Sequence, residues 1–154
     1  MKIFLLVVML FFTVNSFSFA DDISDVQCFF NEYVAAANSY SPDFFNFYSD
    51  SAKIVRVIEK PDGFCETVNI PLEKYKIEAK KSCKFARLRQ YKNKYLNVKI
   101  FPQGDDYKIV AMRMPSTSDY KVPAHFIIGK DKNGNWKIKE ESMNTKVQRF
   151  LNND

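Results

Sequence analysis

At 154 residues the chain has room for one domain with its own core. One histidine and no closely paired cysteines argue against a zinc site, and four glycines leave little for a glycine-rich phosphate loop. The net charge of +5 is modest, which argues against nucleic acid as a partner.

The first twenty residues read as a cleavable secretory leader. Lys2 supplies a short positive region, and Ile3 to Val14 is apolar except for Thr13. Ser18 and Ala20 are small residues where a signal peptidase reads, directly before Asp21 and Asp22. The apolar run is shorter than the ~20 residues of a comfortable membrane span; an uncleaved anchor is the alternative. No cysteine follows the run, which argues against a lipid anchor. The expectation is an exported protein, periplasmic or secreted, with one working domain over residues 21–154. Loss of Lys2 takes its net charge from +5 to +4. The Lys-, Asn-, Ile- and Phe-rich usage points to a bacterial source.

Export permits disulfides. Cys28, Cys65 and Cys83 allow one bridge and one leftover thiol. Cys65–Cys83 is the preferred pair, because Cys28 falls in an amphipathic helix where a buried apolar role suits it; a reactive thiol is the sharper reading of Cys28. Closing a loop of that length contributes on the order of 3 kcal/mol in the chain-entropy model.

In chain order, Ile23, Val26, Phe29, Phe30, Tyr33, Val34 and Ala37 form one face of an amphipathic helix. Ser24 and Gln27 resemble a capping box that starts it near Asp25. Ser41-Pro42 opens a second, short helix from Asp43 to about Tyr48, crowded with Phe44, Phe45 and Phe47. Ala52 to Glu59 and Phe64 to Asn69 read as strands around a Pro61-Asp62-Gly63 turn. Pro71 opens a third helix to about Lys81, and the stretch Ser82 to Tyr91 suits helix or strand. The densest basic stretch, Lys74 to Lys94, is either a solvated helix face or a contact for anionic headgroups on a membrane surface. From Tyr95 the period becomes two. Strands are expected from Tyr95 to Phe101, Tyr107 to Met114, Val122 to Gly129 and Trp136 to about Asn144, with Asn133-Gly134 as a hairpin signal. Pro123 sets the start of its strand at an edge or bulge.

This order is α+β by layer logic. It resembles the NTF2-like (cystatin-like) superfamily in the succession of elements, in the closing stretch "HFIIGKDKNGNWKIKEESM" and in the preceding hairpin "IFPQGDDYKIVAMRM". The resemblance covers about residues 24–150. It implies a cone, with a strongly curved antiparallel sheet wrapped around the N-terminal helix, two further helices, and an apolar cavity between them. The candidate lining is Phe29, Tyr33, Phe44, Phe45, Tyr48, Tyr107 and Trp136.

Enzymes of this superfamily set acid or base side chains inside the cone. The candidates here are His125, the lone histidine, and Glu140, which shares strand parity with Trp136 and Ile138. Each has a plain structural alternative, as a hydrogen-bonded strand residue or a rim carboxylate paired with lysine. No catalytic set, metal or cofactor is carried over from the family. Three functions follow: a non-catalytic exported domain binding a small apolar ligand or an envelope partner; a small acid–base enzyme of the isomerase or dehydratase kind; or an accessory subunit of an envelope or secretion apparatus. An uncovered sheet face leaves room for a homodimer.

Overall fold

The structure is a computed structural model that describes residues 21–147. The expected leader, residues 1–20, lies outside the described residues. The chain is helical (α1) over residues 21–37, so Ser24 sits within the helix and does not start it. The apolar stripe does what its spacing requires: Val26, Phe30 and Tyr33 are buried, and Ile23, Val34 and Ala37 pack beside them. Cys28 points the other way and is exposed, a correction to its expected burial.

Ser41 caps the next element as expected, accepting from the Asp43 backbone N–H, but that element is a single 3-10 helix, Pro42–Phe47. It buries Phe44 and Phe45 and hands the chain directly into a long strand. Strands follow at Tyr48–Glu59 (β1) and Cys65–Ile70 (β2). Helix α2 covers Leu72–Leu88, which assigns most of the ambiguous stretch after Lys81 to helix. Then come Asn93–Gln103 (β3), Asp106–Pro115 (β4), Val122–Lys130 (β5) and Trp136–Thr145 (β6).

All six strands make one curved sheet in the order β2-β1-β6-β5-β4-β3. The sheet is mixed and not purely antiparallel as expected, because β1 enters beside the last strand and runs parallel to β6. The concave face carries the core: Ile54 and Ile58 from β1, Ile109 from β4, Phe126 and Ile128 from β5, Ile138 from β6, all packed against α1. The three cysteines are free thiols, so the expected Cys65–Cys83 bridge is not formed in this structure. Among the described residues no helix is long and apolar enough to cross a membrane.

Bulges in β3 and β6 bend the sheet and reset which residues face inward. In β3 the register shifts between Leu96 and Lys99, and Asn97 takes a left-handed conformation, φ 54°. A bulge adds one residue, bends its strand and flips the alternation, so Tyr95 on one side of it and Val98 and Ile100 on the other all pack on the core. In β6 the shift falls between the Ile128 and Ile127 pairings, where Ile138 and Glu140 are the successive partners and Lys139 is the extra residue. Lys139 leans across β5 to Asp106, Nζ to Oδ1 2.6 Å. That pair passes over Gly129, whose missing Cβ would lie 1.9 Å from the Asp106 oxygen. Glycine is required there by space, not by backbone angle.

Asparagine tolerates the left-handed region better than other side chains. Asn97→Gly is therefore expected to hold or raise the urea midpoint, and Asn97→Val to lower stability by about 1–2 kcal/mol, both read by equilibrium unfolding.

Candidate functional site

The β6 bulge turns Glu141, and not Glu140, into the cone. Glu141 is fully buried, 0% exposed, between Ile54 of β1 and Phe126 of β5. A lone carboxylate there would be costly to hold, and the fold surrounds it with donors. Tyr33 from α1 donates to Oε2 at 2.9 Å, and Tyr48, where the 3-10 helix meets β1, donates to the same oxygen. Arg56 of β1, 6% exposed, donates from Nη2 to Oε1, and Tyr75 of α2 reaches Oε1 at 3.4 Å. The Tyr33 and Tyr48 hydroxyl oxygens are also 2.9 Å apart. Arg56 bonds the Val55 carbonyl oxygen from Nη1 at 2.8 Å, and its guanidinium lies 5.1 Å from the Tyr75 ring centre.

The electrostatics keep the phenols and the guanidinium of this cluster protonated. Burial first, then the Glu141 charge, push the Tyr33 and Tyr48 phenols well above their ordinary value of 10.0, so both stay donors. Tyr75 is raised for the same reasons. Burial works against the Arg56 charge, but Glu141 and the surrounding phenols outweigh it and the net direction is upward.

Above this cluster lies a cavity of about 270 Å³ between α1, α2 and the open end of the sheet. Val34, Ala37, Phe44, Ala79, Ala86 and Met143 give it an apolar wall. Tyr33, Arg56 and Tyr75 form its boundary with the Glu141 cluster, while Tyr95 and Arg113 enter from β3 and β4. Cys83 also faces it, its thiol pKa raised by burial and partly offset by Arg87.

Of the aromatic residues expected to line a pocket, Tyr33 and Phe44 line this cavity, and Phe45 and Tyr48 border a second, more open cleft beside Lys76 and Lys137. Tyr48 lies at the Glu141 cluster, and Phe45 packs on Phe44 and Tyr48 with ring centres 4.1 and 6.0 Å apart. Phe29 packs on Phe47, and Tyr107 stacks edge-on with Trp136 at 5.8 Å, none of them on the cavity wall. His125 and Glu140 are brought together, Nε2 to Oε1 3.8 Å, but on the outer face of the sheet, where both are partly exposed. Burial first and then Lys108 hold the His125 pKa below its ordinary 6.5, with Glu140 pulling the other way. The reading of Glu140 as an inward carboxylate is thereby corrected. Among the described residues no three histidine, cysteine or acidic side chains converge as a metal site.

Sequence comparison finds no matching family model and no matching curated protein. Structural comparison does find relatives in fold. An NTF2-like protein with a cystatin-like fold from Novosphingobium aromaticivorans superposes with TM-score 0.60 at 11% identity, covering 92% of this chain and 89% of its own. A proposed dehydratase of the NTF2-like family from Streptomyces avermitilis gives TM-score 0.61 at 10% identity, covering 83% and 98%. An NTF2-like protein of unknown function from Pseudomonas putida gives 0.58 at 9% identity, covering 79% and 84%. The chain has the NTF2-like fold.

Removing one partner of a buried ion pair typically costs about 3–5 kcal/mol. Glu141→Ala is expected to lose that much or fail to fold, whereas Glu140→Ala stays within about 0.5 kcal/mol of the parent, both by urea unfolding. The proton resonance of the one histidine should titrate with a midpoint below 6.5.

Proposed function

We propose that this protein is an exported binding domain that holds a small, largely apolar molecule in the cone cavity and does not transform it. The observation that carries this reading is a cavity with an apolar side whose two carboxylates are both engaged: Glu141 beneath it has no free lone pair, and Glu78 on its wall is ion-paired with Lys81. A carboxylate accepts about four hydrogen bonds, and Glu141 has Tyr33, Tyr48, Arg56 and Tyr75 around it. A general base must reach the proton it removes, and Glu141 is held away from the cavity by the side chains that saturate it. The two residues expected for the acid–base reading, His125 and Glu140, both sit on the outer face. The cavity is near the lower end of the ~300–1000 Å³ usual for small-molecule sites.

An uncharged fluorophore, N-phenyl-1-naphthylamine, should gain intensity on mixing with the domain. Ala79→Phe, which fills the wall, should abolish the gain while leaving the far-UV spectrum unchanged. Equal fluorescence with both proteins, or none with the parent, contradicts the reading. Export is tested separately: N-terminal sequencing of the protein from its own cells should begin at Asp21.

The envelope-partner reading has one observation of its own. The outer face of α2 leaves Ile77, Phe85 and Leu88 exposed at 53%, 65% and 73% beside Lys81 and Lys84. Crosslinking through a cysteine placed at Leu88 would capture such a partner.

A further inference from the structure

Resting on the ligand-binding reading above, the geometry points to Arg113 as the site for an anionic head group, so that the ligand is an apolar carboxylic acid or a comparable organic monoanion. Arg113 occupies an inward slot of β4, following Tyr107, Ile109 and Ala111 on the same face, and is 9% exposed. Its hydrogen-bond partners among the described residues are both neutral. Nη1 donates to the Tyr91 hydroxyl at 3.2 Å and to Asn93 Oδ1 at 3.1 Å. Both bonds leave from that one nitrogen. Nε is buried and has no partner among the described residues. The Nε–Nη2 edge, which grips a carboxylate through two parallel N–H···O bonds, is thus free of hydrogen bonds to the described protein.

The charge balance leads to the same place. Buried charges are paired as a rule. The cavity and its floor hold two buried arginines, Arg56 and Arg113, and one buried carboxylate, Glu141. Glu141 is committed to Arg56. The acidic side chain on the wall itself, Glu78, is ion-paired with Lys81 at 3.0 Å. Among the described residues one guanidinium charge, that of Arg113, is therefore left without a carboxylate partner and open to a ligand. A second polar atom waits nearby: the Tyr40 hydroxyl is buried without a hydrogen-bond partner among the described residues, on a residue that lines the same cavity. One anionic head with an apolar body satisfies the guanidinium edge and the apolar wall together, which neither a neutral hydrocarbon nor an inorganic anion does.

The test uses an isosteric pair, 1-naphthoic acid and 1-naphthamide, titrated into the intact mature protein by calorimetry at neutral pH. The acid is expected to bind about tenfold or more tightly than the amide, since a hydrogen bond to a charged group outweighs a neutral one. Arg113→Gln should erase that preference and leave amide binding within a few-fold of the parent. Equal affinities of the parent for acid and amide overturn the inference while leaving the apolar site intact. No binding of acid, amide or neutral fluorophore overturns the site reading itself. The comparison on the parent needs no variant, so it decides the matter even if Arg113→Gln fails to fold. An acid preference that survives in a folded Arg113→Gln protein also overturns the assignment.

Discussion

One buried carboxylate ties the elements of this domain together. Glu141 receives Tyr33 from α1, Tyr48 from the junction of the 3-10 helix and β1, Arg56 from β1 and Tyr75 from α2. Its own backbone sits in β6, between β1 and β5. Each of these groups would be costly to bury alone. Together they satisfy one another only when both helices and the two parallel strands are in place. A buried ion pair of this kind is weak evidence for net stability, since matched apolar residues do as well or better. Its better-attested use is to fix one arrangement, and here that arrangement sets α2 beside the sheet at the mouth of the cone. Helix α2 needs such a tether, because none of its side chains is fully buried.

The cavity is what that tether leaves open. The concave face between Arg56 and Arg113 is roofed by small side chains on the two helices, Ala37, Ala79 and Ala86. Large residues in those positions would close the cone with core, as Phe30 and Phe126 do at its centre, ring centres 5.1 Å apart. Polar groups are sorted by depth. The saturated cluster lies beneath the cavity, while the incompletely bonded Arg113 lies on its wall. This separation makes binding without chemistry the better reading of the site.

Much of this was legible in the sequence, and the failures have identifiable causes. The stripe on α1, the Ser41-Pro42 cap and the order of strands follow from periodicity and turn chemistry, and with them the fold. The inward carboxylate was misplaced by one residue because strict alternation from Trp136 and Ile138 leads to Glu140. The extra residue Lys139 moves the inward position to Glu141, and a bulge leaves no local signature beyond the facing Gly129, which admits the Lys139–Asp106 pair. Two signals were present and unused. Arg56 interrupts the series Ala52, Ile54, Ile58, and Arg113 ends the series Tyr107, Ile109, Ala111. A cation in an inward slot of an otherwise apolar strand face asks for a buried partner. The parallel pairing of β1 with β6 had no sequence signal at all, since it depends on where the chain ends meet.

Native mass spectrometry of the protein purified from its own cells tests the central claim, that the cone is a ligand site, most directly. The account predicts a small organic molecule of fixed mass that stays with the folded chain and leaves on denaturation, and that Ala79→Phe protein from the same cells lacks. A bare chain from those cells, still bare after incubation with excess apolar carboxylic acids, would contradict it.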